Sequence, residues 1–240
     1  MWAIFKKEVA IYFLTPFGYV FGGLFLLISG MVFVFYNLAG GRGDIFGMLG
    51  VLNFASIVIF PVLTMKLLSE EKRMATDQLL FTAPVSTGSI VIGKYLAALF
   101  VFLCTLAATG VYAFLVIVYS KTPLGAVFGS YLGFAMLGAA YIAICLFASS
   151  LTENQVTAAI AGFGFLLSFM LLGVLANAIT IPWLKESLAW LAILDKYQEF
   201  TSGVLRLEPF VYYLSFVVAF TALTVQTVEQ RQQSGGGYKC

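Results

Sequence analysis

Long apolar runs alternate with short polar interruptions along this chain, and the runs are continuous instead of alternating residue by residue. Six of them stand out, at 17–37, 45–66, 95–119, 127–149, 154–176 and 210–227. Each is close to the roughly 20 residues a helix needs to cross a bilayer. A β-barrel would show alternating segments of about ten residues. Runs rich in Leu, Ala, Gly and Phe point to helices whose backbone polar groups are satisfied internally. The predicted fold is therefore all-α, a polytopic membrane protein of six transmembrane helices occupying residues 1–240 as a single transmembrane domain.

The polar interruptions give these helices a direction. An even number of spans puts both termini on one side, together with 67–94 and 150–153. That side carries Lys6, Lys7, Lys66, Lys72, Arg73, Lys94, Arg231 and Lys239, against Arg42 and Lys121 in the short opposite loops. The excess of Lys and Arg on cytoplasmic segments places both termini in the cytoplasm. Residues 1–15 set Trp2, Phe5, Val9, Tyr12 and Phe13 at helical spacing around Lys6 and Lys7, and Thr15-Pro16 closes the segment. This predicts an interfacial helix before an uncleaved first span. The external segment 177–209 interleaves Trp183, Trp190 and Tyr197 with charges, predicting short helices whose aromatic rings sit at the headgroup level. The tail over 230–240 is polar and Gly-rich and is predicted to be disordered.

Composition agrees, with 61% hydrophobic and 10% charged residues in 240. Such a chain cannot clothe a soluble globule, so the lipid bilayer is its solvent. A net charge of +2 with scattered basic residues gives no footprint for nucleic acid. Cys104 and Cys145 fall inside apolar runs and Cys240 ends the chain, so no disulfide framework or CxxC pair is available.

The segment with the most information is 66–96, the only long loop on the cytoplasmic side. Ser69-Glu70-Glu71-Lys72-Arg73, followed by Met74, Leu79, Leu80 and Phe81, reads as a short amphipathic helix. Ala83-Pro84-Val85-Ser86 reads as its stop, with a second helix starting between Ser86 and Ser89. A solvated loop that merely preserves topology accounts for the charges but not for the apolar residues beside them. Docking of a cytoplasmic partner accounts for both.

The same residues carry a family resemblance. Glu70 to Arg73, the Thr-x-x-Leu-Leu step from Thr76 to Leu80, the turn Pro84 to Ser86 and the helix start Gly93 to Leu96 resemble the second-to-third-span loop of ABC-2 type permeases. The six spans, interfacial helix and long external segment before the last span are also similar to that family, most of all to permeases of gliding-motility-type ABC systems. The resemblance implies a non-catalytic subunit of the bacterial inner (plasma) membrane, coupling ATP hydrolysis elsewhere to export or extrusion of a substrate. It implies two ABC ATPase subunits per complex, which bind the ATP and magnesium. It also implies a second copy of this chain or a related permease, and an accessory protein at the external face. The loop 67–94 would hold the coupling helix, with Glu70, Glu71, Lys72, Arg73 and Asp77 as its charged contacts and Leu79, Leu80 and Phe81 as its packed anchor.

Small residues offer close helix approach at Gly18-x-x-x-Gly22, at Gly125, Gly129 and Gly133, and at Ala158-x-x-x-Gly162. The resemblance puts the first and fifth spans at the subunit interface and along the substrate path. Ordinary packing within one subunit is the competing reading of Gly18, Gly22, Ala158 and Gly162.

Catalytic readings fail on inventory. The chain has no histidine, which excludes His-ligated metal proteases and Ser-His triads. Gly88 to Tyr95 approaches a P-loop, but Tyr95 stands where the motif needs Ser or Thr to hold magnesium, and the segment leads into a span. No cofactor is expected on this chain. The rival functions are a stand-alone channel or secondary transporter and a structural membrane scaffold. Ion-coupled carriers commonly bury ionisable groups at mid-membrane, and the six runs contain none apart from Lys66 at an end.

Overall fold

The computed structural model describes residues 1–41, 43–74, 86–120, 122–178, 183, 193, 196–197, 200 and 207–235. Among them every regular element is helical. α1 (Trp2–Leu14) precedes α2 (Pro16–Val32), which runs on as a π-helical stretch over Phe33–Ala39. α3 (Ile45–Thr64) leads through Met65 into α4 (Lys66–Arg73). α5 (Thr87–Ala108) and α6 (Gly110–Ser120) follow, then α7 (Leu124–Leu151), α8 (Gln155–Ala178) and α9 (Leu207–Gly235). Six stretches are long and apolar enough to cross a membrane: Pro16–Ala39, Ile45–Arg73, Thr87–Ser120, Leu124–Leu151, Gln155–Ala176 and Leu207–Arg231. All six predicted spans are present, most of them extended by several residues at their polar ends.

The local chemistry sets each boundary. Thr15, in extended conformation, ends α1 and its amide donates back to Ile11, while Pro16 opens α2 where a missing N–H costs nothing. That turn is tight enough that a Cβ on Gly18 would lie 2.2 Å from the Tyr12 carbonyl oxygen. Asp44 caps α3, its carboxylate accepting from the Phe46 and Gly47 amides at 3.0 Å each. The third span bends at Thr109, whose hydroxyl donates to the Leu106 carbonyl at 2.6 Å and whose carbonyl accepts from the Tyr131 hydroxyl at 2.8 Å.

α7 is the central post. Of its most apolar stretch 78% is buried, against 22% for the α2 and α8 spans at the periphery. It packs against α3, α5, α8 and α9. A cluster of rings joins α2, α3, α5 and α7: Phe60 lies 4.9 Å from Phe102 and 5.7 Å from Tyr141, and Phe25 lies 6.1 Å from Phe102 and 6.3 Å from Phe134. Edge-on contacts of this kind give a packed interior where lipid supplies no hydrophobic drive for helices to associate. The outward apolar residues of α2 and α8, among them Leu27, Met31, Val156 and Ile160, are exposed as a membrane-facing surface requires.

α1 is a separate helix before the first span and rests on the bundle by a polar face. Its apolar residues Trp2, Phe13 and Leu14 face outward, and the two residues it buries are Glu8 and Tyr12, one turn apart. It lies along α5, with Phe5 against Phe100 at 5.9 Å.

Tyr197 is 2% exposed, its ring 5.5 Å from that of Phe46 and 6.4 Å from that of Phe134. The tail is not disordered from residue 230; α9 continues through Gly235, because Glu229 to Gln233 are good helix formers and Arg231 is anchored to the end of α7. Trp190, and the tail beyond 235, lie outside the described residues.

Candidate coupling site

At the end of the bundle that bears α1 and α4, three ionisable side chains from three separate elements meet. Lys94 sits in the second turn of α5, 1% exposed, its position fixed by Val91 and Ala98 packing into the core on the same helix. Its ammonium donates to Glu8 Oε1 of α1 at 2.9 Å and to Glu71 Oε1 of α4 at 2.7 Å. Glu8 is 6% exposed and the Glu71 side chain 18%. Two carboxylates thus surround one ammonium in a site largely closed to water. A single buried pair seldom repays its desolvation, whereas a charge-assisted bridge among three elements fixes their relative positions.

Neighbouring bonds tie the same elements further. The Tyr12 hydroxyl donates to the Leu63 carbonyl at 2.8 Å, joining α1 to the α3–α4 bend. Burial, together with the nearby Glu8 charge, raises the Tyr12 phenol above its ordinary range, so it is a neutral donor at every physiological pH. On the other flank, the Leu68 and Ser69 amides donate to Ser149 Oγ at 3.4 and 3.3 Å, and that hydroxyl donates to the Met65 carbonyl at 3.2 Å. Lys72 donates to the Ser150 carbonyl at the end of α7. Arg231 of α9 reaches the Leu151 carbonyl at 2.8 Å and Glu153 at 3.7 Å.

The sequence-predicted docking residues therefore have distinct placements. Glu70 pairs with Lys66 on its own helix at 3.5 Å, half-exposed. Glu71 and Lys72 turn into the chain's own α5 and α7. Arg73 ends α4 exposed. Asp77, Leu79, Leu80 and Phe81 lie outside the described residues. Sequence reasoning did not single out Glu8, and it read Lys94 as a topology charge, as part of a broken P-loop and within the Gly93 to Leu96 helix start. The available signal was a lysine about two turns inside the helix that starts at Thr87, where an uncompensated charge is costly.

Most of the small residues singled out for close helix approach meet groups of this chain, whereas Gly125 has open space around it. Gly18 accommodates Tyr12, and Gly22 approaches Thr105 of α5. Gly162 lies against Cys145 and Pro61, and Ala158 is 2% exposed on the same helix. Gly129 and Gly133 of α7 receive Phe200, from the segment between α8 and α9.

A bundle of six helices long and apolar enough to cross a membrane, with α1, α4 and the start of α5 joined in one ionic junction, is a polytopic membrane protein. The model of the ABC-2 family transporter protein matches residues 2–233, and the chain belongs to that family. It is the membrane-spanning permease subunit of an ABC transporter, and its family partner is an ABC ATPase subunit. No curated protein matches the chain.

Proposed function

We propose that this permease couples ATP hydrolysis on two separate ATPase subunits to export or extrusion of a substrate across a bacterial inner membrane, with both termini cytoplasmic. The observation that carries the reading is the grip on α4. It continues a span through a bend, is bonded directly to α5 and α7 and through Lys94 to α1, and ends in the exposed Arg73. A push on its free end is delivered to three span termini at once. Closure of an ATPase dimer would then rock the bundle as a body, provided the ATPase contacts α4 differently in its two states.

Within this reading the predicted contact set divides into two parts. Arg73, with Asp77, Leu79, Leu80 and Phe81 beyond it, meets the ATPase, while Glu71 and Lys72 pass displacement inward. Glu70 belongs to the first group through its half-exposed face. The functional unit holds a second copy of this chain or a related permease, and the wording of the 66–96 loop favours a gliding-motility-type system. Supporting the non-catalytic role is the absence of histidine and of an intact P-loop.

The test is purification from the native membrane in mild detergent, with stoichiometry and ATPase activity measured on one sample. A P-loop ATPase at one copy per permease, whose hydrolysis rate changes on reconstitution with this chain, is the expected result. An ATPase-free oligomer that conducts or transports alone would overturn the proposal.

A further inference from the structure

Beside the ionic junction lies a cavity of about 330 Å³, bounded by α1, the start of α2, the α3–α4 bend and Lys94. Its size falls in the range of roughly 300–1,000 Å³ typical of small-molecule sites. Burial grades it from rim to floor. Lys7 is exposed and Lys66 and Glu70 are half-buried at the rim, while Glu8 and Lys94 are buried and Glu71 is nearly so at the floor. One wall is apolar, formed by Ile11, Val62 and Leu63.

Charge is distributed unevenly along that gradient. The floor holds two carboxylates against one ammonium, so its three groups together are negative. The rim holds Lys66, Glu70 and Lys7, so its three groups together are positive. Lys7 makes no ion pair among the described residues, and the Lys66 ammonium is held over the Phe17 ring, 3.2 Å from its centroid, at the mouth. A ligand matched to this field carries a cation at its tip and an anion a few atoms behind, followed by an apolar body for the wall. Anionic amphiphiles match the rim but leave the floor carboxylates without a cation, and free cations leave the rim unmatched.

We propose that this cavity binds the headgroup of a zwitterionic phospholipid with a primary amine, its ammonium directed to Glu8 and Glu71 and its phosphate held between Lys7 and Lys66. The acyl chains leave along the exposed apolar flank of α2 and α3, where Val20, Leu24 and Val58 face outward. A primary ammonium supplies N–H donors for charge-assisted bonds to the carboxylates, which a quaternary ammonium lacks. A bound lipid would thereby brace α1 against the α3–α4 bend. The proposal needs only the membrane-spanning fold and is independent of the coupling role, so it stands or falls on the permease by itself.

The experiment uses the full-length permease without any ATPase, delipidated in detergent. Retention of phosphatidylethanolamine, phosphatidylcholine and phosphatidylglycerol of identical acyl chains is read by native mass spectrometry, and thermal unfolding by intrinsic fluorescence. Phosphatidylethanolamine is expected to bind about tenfold more tightly than either other lipid and to raise the unfolding temperature most. Glu71→Gln leaves Lys94 paired with Glu8 and should bring phosphatidylethanolamine down to the phosphatidylcholine level. Lys7→Gln, an exposed substitution that leaves the fold intact, should weaken both of those lipids together by several-fold. Equal retention of the three lipids, or a preference that both variants leave unaltered, overturns the proposal. Displacement of the lipid by millimolar soluble phosphoethanolamine would instead assign the cavity to a free phosphoamine and overturn the lipid assignment.

Discussion

Glu8 and Lys94, 86 residues apart in the chain, are joined by a 2.9 Å bond between a carboxylate and an ammonium that are each almost wholly removed from solvent. The pair fastens the first helix to the start of the third span, and Glu71 extends it to α4. Its energetics follow from burial. Removing one partner strands a charge where water cannot reach it, which typically costs roughly 3–5 kcal/mol, whereas removing all charges together costs far less. Lys94→Met should therefore destabilise the purified permease by about that amount. Adding Glu8→Gln and Glu71→Gln to Lys94→Met should restore most of it. Thermal unfolding in detergent measures both; a triple variant no more stable than Lys94→Met would show that the bridge is not the source of the cost.

Arg73 should behave differently because it ends α4 exposed. Arg73→Glu is expected to leave the unfolding temperature within the scatter of ordinary surface substitutions, about 0.5 kcal/mol. Stimulation of the partner ATPase should nevertheless fall, since the reversed charge opposes the docked surface. A variant that stimulates the ATPase like the parent would move the contact elsewhere on the 66–96 loop.

These two residues mark what sequence could and could not disclose. The spans were legible because a bilayer imposes one length and one polarity on every crossing, so six apolar runs map directly onto six helices. The start of α5 was legible from the Pro84-Val85-Ser86 turn, and the helix begins at Thr87. The junction was not, because Glu8, Glu71 and Lys94 lie in separate polar segments and nothing in linear spacing says that three of them converge. Solvated charges and buried ones look alike in a sequence. Likewise Gly129 and Gly133 signalled a close approach, but not that the approaching group is Phe200, from the segment between α8 and α9, instead of another span.

Tyr12 tests the second link between α1 and the α3–α4 bend. Tyr12→Phe keeps the ring in place and removes only the bond to the Leu63 carbonyl. That carbonyl lies within a helix, so it retains an acceptor role there, and the loss should be near the 0.5–1.5 kcal/mol of a typical intramolecular hydrogen bond, about 1 kcal/mol. Differential unfolding of the two proteins in the same detergent gives the value directly. A loss well above 3 kcal/mol would mean that the hydroxyl organises the whole junction.

The segment between α8 and α9 offers a sharper discrimination, because Phe200 meets the two α7 glycines with different atoms. A Cβ on Gly129 would lie 2.4 Å from the Phe200 carbonyl oxygen, whereas one on Gly133 would meet the Phe200 side chain at 2.8 Å. Gly125, one turn earlier, has open space around it. Overpacking of this kind costs typically about 1–3 kcal/mol, so Gly129→Ala and Gly133→Ala should both destabilise the protein and Gly125→Ala should not. Truncating Phe200 to alanine removes two of the three atoms that crowd Gly133, Cγ and Cδ2, and keeps the third, Cβ at 2.8 Å. In a double-mutant cycle, Phe200→Ala should recover part of the loss from Gly133→Ala, where Cβ remains, and little of that from Gly129→Ala, where the obstacle is backbone. Equal recovery at both sites would place the ring, and not the chain itself, against Gly129.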